Sequence, residues 1–468
     1  MNAAMSGVTT MRAFTHPRIR FGLALAASSA LAAGVLLSAA AVRPIAAATE
    51  SANRTGIACT TDSAGGTNPT FNLTTRAGSI NLADGTTAYM WGYSEGSRPF
   101  QHPGPVLCVK EGDTVTVILH NAFTTTTPKN APAVSIVFPG QENVLADGAP
   151  SQPVFDGGGA LTSLAKPAQP GGGTVTYSFV ASRPGTYLYE SGGGQKTSGT
   201  ASPFSSPQVQ VRMGLFGSLI VRPAMGANFI YDRADSRFDP GTEFMLLLSE
   251  IDPYLNAKVQ KGVAYNMDNY KPRYWLINGR QFPDSIADNF ASWLPTQPYG
   301  SLATILPYDA TTNPWPAADR YLSVGTVDYP FHPHGNNGKV IGRDGTPIAT
   351  NGGTGADLSF DKFAVNIGPG QTWDVLFDWK DAEEYSSSNP VPASEPDLQN
   401  LTIGTFYGGS PYLGETAPMP PGVQTLNECG EFYIIAHNHA LHQLTSWGVN
   451  MTGPITYTRV NPPTAACP

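Results

Sequence analysis

Hydrophobic and polar residues alternate in short runs along most of the chain, and this pattern predicts β-strands. In the first half, residues 114–119, 174–179 and 216–221 alternate in this way and are bounded by Gly, Pro, Asn or Asp. Successive side chains of a strand point to opposite faces, so alternation is typical of strands in a packed sheet. We therefore expect an all-β protein.

A second group of strands is predicted in the other half of the chain, at residues 244–248, 321–327, 363–367, 373–379 and 432–435. Residues 222–242, between the two groups, show no alternation and predict a linker. Residues 49–75 are rich in Thr and Asn and predict a loose lead-in. Residues 380–400 are polar, acidic and rich in Ser and Pro, which favours an exposed loop.

Length and composition support this organisation. The chain has 468 residues, which suits two domains preceded by an export signal. We predict a first domain at residues 49–225 and a second at residues 240–468. Charged residues make up only 13%, and 50 Gly and 41 Pro indicate a loop-rich β protein rather than a helical or disordered one.

The N-terminus is typical of a signal peptide at residues 1–48. Three arginines precede an apolar run at residues 21–42, and residues 46–48 are alanines that offer a cleavage site. The alternative is an uncleaved membrane anchor, since the run is long enough to span a bilayer. Because no other long apolar stretch follows, we expect a secreted, periplasmic or cell-surface protein with no stable membrane insertion after cleavage.

The net charge and the cysteines indicate which partners and which cross-links to expect. Removing residues 1–48, which carry four arginines and no acid, changes the net charge from −8 to −12. No basic stripe remains, so nucleic acid is not an expected partner. The four cysteines, Cys59, Cys108, Cys429 and Cys467, predict two disulfides with three possible pairings, and none has the spacing of a metal site.

Two His-x-His pairs, His332/His334 and His437/His439, are the strongest candidates for chemistry. Residues i and i+2 of a strand point to the same face, so two such pairs on neighbouring strands bring four imidazoles together. Imidazole binds copper, zinc or iron. The alternative is that these rings are hydrogen-bonded or solvated without metal.

Several ordered segments resemble the multicopper oxidase family. They are Pro-Gly-Pro at residues 103–105, and the segments at residues 109–115, 185–189, 214–221, 246–252, 277–280, 329–335, 368–376 and 437–439. The resemblance spans nearly all of residues 85–460 and is closest to the two-domain subgroup. It implies two cupredoxin-like Greek-key β-sandwich domains, copper as the metal, and a homo-oligomer, typically a trimer.

The chain departs from the family at about half of the ligand positions. Where the family has two His pairs in the first domain, residues 137–140 read Val-Phe-Pro-Gly and residues 190–192 read Glu-Ser-Gly. Of these only Glu190 could bind a metal, and the alternative is a solvated acid at a strand end. At the family's mononuclear copper site, Asn438 replaces the Cys and Tyr329 replaces a His, so a standard laccase cycle is not expected.

The other cysteine, histidine and methionine residues are weaker candidates for metal ligands. Cys429 is expected in a disulfide, the alternative being a substitute for the missing copper-binding Cys. His442 and Met451 are expected to be ordinary loop residues, the alternatives implied by the resemblance being the second His and the axial ligand of the mononuclear site. His102 and His120 match no ligand position and are interpreted as structural.

Three functions remain open. The first is an exported multicopper-oxidase-like protein that binds one copper, or another divalent metal, at His332, His334, His437 and His439, with Glu190 and a water as further ligands. Whether it is an enzyme is left open; if it is, we expect a copper-dependent oxidoreductase. The second is a copper-free cupredoxin scaffold for assembly or partner binding. The third is a hetero-oligomer in which a partner chain completes the cluster.

Overall fold

The computed structural model describes residues 55–61, 68–124, 126–350, 356–380, 405–406, 417–418, 432–446 and 452–461. The predicted signal peptide, residues 381–400 of the predicted loop, Cys429, Met451 and Cys467 lie outside these ranges. Among the described residues, no helix is both long and apolar enough to cross a membrane.

The strands of the first half form two facing sheets. They are β1 (Cys59–Thr60), β2 (Thr70–Asn81), β3 (Thr87–Glu95), β4 (Val106–Lys110), β5 (Thr114–Asn121), β6 (Ser135–Val137), β7 (Leu145–Ala146), β8 (Ala149–Pro150), β9 (Val154–Phe155), β10 (Leu161–Ser163), β11 (Gly173–Val180), β12 (Gly185–Gly193) and β13 (Phe216–Arg222). One sheet has the order β1-β4-β13-β12-β6 and the other β3-β2-β5-β11-β7-β8, while β9 and β10 pair separately. Alternate residues of both sheets, such as Val117 and Leu219, share one buried core.

The second half repeats this arrangement. Its strands are β14 (Glu243–Ile251), β15 (Tyr274–Ile277), β16 (Ala303–Ile305), β17 (Ala317–Ser323), β18 (Tyr329–Pro333), β19 (Gly338–Arg343), β20 (Thr346–Pro347), β21 (Phe360–Lys362), β22 (Val365–Ile367), β23 (Thr372–Phe377), β24 (Thr405–Phe406), β25 (Ala417–Pro418), β26 (Phe432–Asn438) and β27 (Ile455–Val460). One sheet has the order β15-β14-β17-β23-β19-β20, with β21 beside β19, and the other has the order β16-β27-β26-β18-β22. Phe331 and Val375 lie in the core between them.

Helices are short. They are α1 (Pro207–Arg212), α2 (Pro253–Gln260) and α3 (Leu441–Leu444), with 3-10 turns at Ala234–Ser236, Met267–Asn269 and Asp284–Ile286. α1 and α2 both begin with Pro. The residue before each Pro, Ser206 or Asp252, caps the helix because its side chain accepts a hydrogen bond from a backbone N–H of the first turn. The prediction of an all-β protein is confirmed.

The two pairs of sheets pack against each other through strands that are buried on both faces. Leu188 and Ile220 point away from the first core and meet Met245, Leu247 and Leu322, which point away from the second. A strand with two buried faces needs apolar residues at consecutive positions. This requirement explains the uninterrupted apolar run in β14.

Two sequence predictions about the connections are wrong. The lead-in at residues 49–75 is not loose throughout, because β2 begins at Thr70 and buries Phe71 and Leu73 in the first core. Exposed Thr70 and Asn72 flank Phe71, so the start of this strand resembles the Thr- and Asn-rich residues before it. Residues 222–242 are not a bare linker, since Ile230, Tyr231 and Phe238 are buried against the second half. Irregular backbone carries no periodicity, so its burial could not be predicted from alternation.

One disulfide links Cys59 to Cys108 and so attaches β1 to β4. This bond fits the predicted disulfide chemistry. Cys429 and Cys467, the other two cysteines, are outside the described residues.

Candidate metal centre

The four histidines come together because β18 and β26 are antiparallel neighbours. His332 lies directly opposite His437 in the ladder. The backbone N–H of His334 donates to the carbonyl of Ile435 at 2.9 Å, and that of His439 donates to the carbonyl of Pro330 at 2.7 Å. With this register the alternation of side chains places all four imidazoles on the same side of the sheet.

Distances between the rings describe a compact cluster. The ring centroids of His332 and His334 are 4.7 Å apart, and those of His334 and His437 are 5.1 Å apart. His439 lies 5.4 Å from His332 and 5.5 Å from His437. The Nε2 atoms of His334 and His437 are separated by 3.1 Å. Two nitrogens that bind one metal ion at about 2.0–2.1 Å lie roughly 3 Å apart, so this pair has the separation of two ligands.

Backbone carbonyls fix the tautomer of two rings. Nδ1 of His332 is 2.7 Å from the carbonyl oxygen of Phe363, and Nδ1 of His437 is 3.0 Å from that of Asn438. A carbonyl only accepts hydrogen bonds, so each Nδ1 carries the proton and donates it. Nε2 is then left with a free lone pair, which is the usual state of a metal-binding histidine.

Burial favours the neutral form of the His334 and His437 rings. Desolvation lowers the pKa of His437 to about 4, with a contribution from the neighbouring His334, His332 and His439. The pKa of His334 is also lowered, first by desolvation and then by His332 and His439. Neutral imidazoles do not have to lose a proton before they bind a metal, which favours binding by His334 and His437.

The donor set fits copper, since imidazole is a ligand that copper accepts readily. Within the described ranges, no three His, Cys, Asp or Glu side chains converge as a metal site does. The rings would therefore have to turn slightly to bind a single ion together.

Glu190 lies in a different sheet from the four histidines. It lies within β12, where it pairs with Val137 of β6 and Phe216 of β13. Desolvation raises the pKa of Glu190, while Arg212 acts to lower it. No hydrogen bond or ion pair among the described residues joins Glu190 to the four histidines. It is also not a solvated acid at a strand end, because it is half-buried in mid-strand.

Tyr329, on the opposite face of β18, belongs to a buried hydrogen-bond network. Its hydroxyl donates to the carboxylate of Glu250. Arg212 reaches the same carboxylate at 3.2 Å, and Thr326 donates to it through its backbone N–H at 2.6 Å and its hydroxyl at 2.8 Å. Sequence reasoning did not single out Glu250, although an acid just after the apolar run of β14 is a usable signal.

Asn438 is satisfied in a similar way. Its side-chain amide donates to Gln443, and its oxygen accepts the backbone N–H of Ala440 at 2.8 Å. Gln443 in turn donates to the carbonyl of Asp328 at 3.1 Å. Hydrogen bonds inside the protein therefore engage both the oxygen and the nitrogen of the Asn438 side chain.

Other histidines lie elsewhere. His442 is exposed on α3, and its ring is 5.6 Å from that of Trp275. His102 is fully buried beside Phe216, at a centroid distance of 5.3 Å, while His120 is half-buried on β5. The structure brings neither of these last two to the cluster.

Comparison with solved structures identifies the fold. The multicopper oxidase mgLAC matches with a TM-score of 0.50 and 18% sequence identity, over 85% of this chain and 87% of that chain. The blue copper oxidase from Nitrosomonas europaea matches with a TM-score of 0.47 and 17% identity, over 83% of this chain and 85% of that chain. Copper nitrite reductase from Nitrosomonas europaea has a TM-score of 0.45 and 16% identity, over 85% of this chain and 97% of that chain.

Sequence comparison adds no closer relative. No protein-family model matches the chain, and no curated protein is significantly similar to it. At 18% identity the match to mgLAC speaks for the fold alone. The chain has a multicopper-oxidase-like cupredoxin fold, as the resemblance of its motifs predicts.

Proposed function

We propose that this protein is exported and binds one copper ion at His332, His334, His437 and His439. The observation that carries the proposal is the pair of carbonyl contacts at Nδ1, which leaves Nε2 of His332 and His437 unprotonated. Side chains that only fill space do not need this orientation, whereas metal ligands do. When bound, copper supplies one-electron redox chemistry or polarises a substrate oxygen.

The surrounding residues define what this chain contributes to such a site. Phe363 and Asn438 orient the imidazoles through their backbone carbonyls. Asn438 cannot relay electrons as a thiolate does, so a laccase-type cycle within one chain is not part of the proposal. An oligomer of this chain, or a partner chain that completes the cluster, stays a proposal that rests on resemblance alone.

Bound metal measured by elemental mass spectrometry tests the proposal. The mature chain, produced in an exporting host and loaded with copper, should hold about one copper per chain. The double variant His437→Ala/His439→Ala should lose it, because two of four ligands are gone. The matched control His120→Ala removes a histidine outside the cluster and should keep the metal.

A further variant distinguishes the role of the buried face of β18, which carries Tyr329, from that of the face that carries His332. Tyr329→Phe removes the hydroxyl from the buried network without touching the four imidazoles, so its copper content should equal that of the unaltered protein. Absence of copper from every variant and from the unaltered protein would reject the proposal.

A copper-free scaffold is the second candidate. The observation in its favour is that Tyr329 and Asn438 both hydrogen-bond within the protein. The contact between His334 and His437 is likewise a possible hydrogen bond between two metal-free rings. The same metal measurement decides between the candidates.

A further inference from the structure

A cavity of about 430 Å³ lies beside the segment that follows His334. Its lining includes Trp315, Tyr308, Arg237, Asn336, Asp361 and Asp378, and we refer to it as the Trp315 pocket. This volume falls within the range of pockets that hold small molecules. None of the four clustered histidines lines it.

Arg237 is held rigidly at the edge of this pocket. Its guanidinium carbon is 3.9 Å from the ring centroid of Trp315 and 5.8 Å from that of Phe229. Such stacking fixes the plane of the guanidinium. Its Nε has no hydrogen-bond partner among the described residues. Arg237 lines the pocket with a guanidinium whose plane is fixed, and because its Nε is buried, only its terminal N–H groups can donate to a ligand there.

Acceptors face the same space. Asp378 accepts a hydrogen bond from the side-chain amide of Asn336. Asp361 is exposed in the middle of β21, opposite Lys339 of β19. Each of these carboxylates has lone pairs beyond those already used. The pocket thus combines donors and acceptors around the aromatic side chains of Trp315 and Tyr308.

Charges at the pocket largely balance. Lys339 lies 3.3 Å from Asp357, and Asp235 is paired with Arg233. Neither sign dominates, so the lining does not select a strongly anionic or cationic ligand. A hydroxyl group both donates and accepts, and therefore suits a lining in which donors and acceptors are mixed.

We propose that the Trp315 pocket binds a neutral sugar. The apolar face of a sugar ring would pack on the aromatic surface of Trp315 or Tyr308, and its hydroxyls would bond to Arg237, Asn336, Asp361 and Asp378. This site is separate from the metal centre and does not depend on it.

A titration of the full mature chain with cellobiose tests this proposal. Binding is measured by calorimetry and by saturation-transfer NMR. The protein should bind cellobiose, and Trp315→Ala should weaken binding about tenfold or more, because stacking is lost. Asp361→Asn is a milder second variant on an exposed side chain and should also weaken binding. Trp293→Ala, which removes a partly exposed tryptophan outside the pocket, is the matched control and should bind normally.

Three results would overturn the proposal. They are no binding of cellobiose, equal binding by Trp315→Ala that is shown by circular dichroism to be folded, and a clear preference for glucuronate or glycine over cellobiose. Binding should persist in His437→Ala/His439→Ala, so this result and the copper measurement can succeed or fail independently.

Discussion

His102 is a single residue whose burial lowers the stability of the protein in a way that the sequence does not reveal. Its ring is completely buried, and neither ring nitrogen has a hydrogen-bond partner among the described residues. Desolvation lowers the pKa of His102 to about 3. The sequence predicts a structural role but not this isolation, because the surroundings come from distant segments such as Phe216 and Gly214.

We predict that His102 makes the protein less stable in mild acid. Unfolding exposes a ring with a pKa near 6.5 that takes up a proton, whereas the folded ring stays neutral down to about pH 3. The unfolded state therefore binds more protons between these values, so stability is complete above about pH 6.5 and is lost as the pH falls. Between about pH 7.5 and about pH 5, this single group should lower the free energy of unfolding by about 2 kcal/mol.

Denaturant unfolding of His102→Leu at both pH values checks this prediction. The variant should lose less stability than the unaltered protein on going to the lower pH. Phe216→Leu perturbs the same packing but keeps the imidazole, so it should retain the full pH dependence. An unchanged pH dependence in His102→Leu would contradict the account.

At the scale of elements, alternation predicted most strands but not the short or irregular ones. β5, β11 and β13 lie where the pattern places them, because a sheet with a regular core needs side chains of period two. β1 has only two residues and no pattern. Its place beside β4 depends on the disulfide, which four cysteines with three possible pairings could not specify.

We predict that this disulfide stabilises the lead-in to the first sheet. Cys59 and Cys108 are separated by 49 residues, and closing such a loop restricts the unfolded chain. The double variant Cys59→Ala/Cys108→Ala should lower the free energy of unfolding by about 2–4 kcal/mol. Chemical denaturation measures the loss, and the single variant Cys59→Ser should lose a similar amount. Equal stability of all three proteins would show that β1 is held by its strand contacts alone.

At the scale of the whole molecule, a buried ion network connects the two pairs of sheets. Arg320 of β17 lies 2.6 Å from Glu243 and 3.3 Å from Asp374, and it donates to the hydroxyl of Thr186 in β12 at 2.8 Å. Tyr231 also donates to Asp374, at 2.6 Å. Burial alone would raise the pKa of Glu243. The nearby guanidiniums of Arg320 and Arg222 outweigh this effect and hold the pKa below its ordinary value.

Arg320→Met should destabilise the protein by about 3–5 kcal/mol, because it leaves Glu243 and Asp374 buried without their main partner. The triple variant Arg320→Met/Glu243→Gln/Asp374→Asn removes the stranded charges and should recover part of the loss. Thermal and denaturant unfolding measure both. A triple variant that is less stable than Arg320→Met would show that the network is not held together by charge balance.

The candidate site illustrates what sequence and structure each supply. Residue spacing alone predicted that the two imidazoles of each His-x-His pair share a face, since the periodicity of a strand is fixed. Spacing could not show that Glu190 lies apart from the cluster, nor that the carbonyl of Phe363 orients His332. Both depend on which strands become neighbours and on their register.

Anomalous diffraction at the copper absorption edge, from crystals of the copper-loaded protein, tests the central claim most directly. The account predicts one strong peak within bonding distance of Nε2 of both His334 and His437, and no peak beside Asn438 and Tyr329. A copper peak elsewhere, or crystals in which these four imidazoles hold no metal at all, would contradict it.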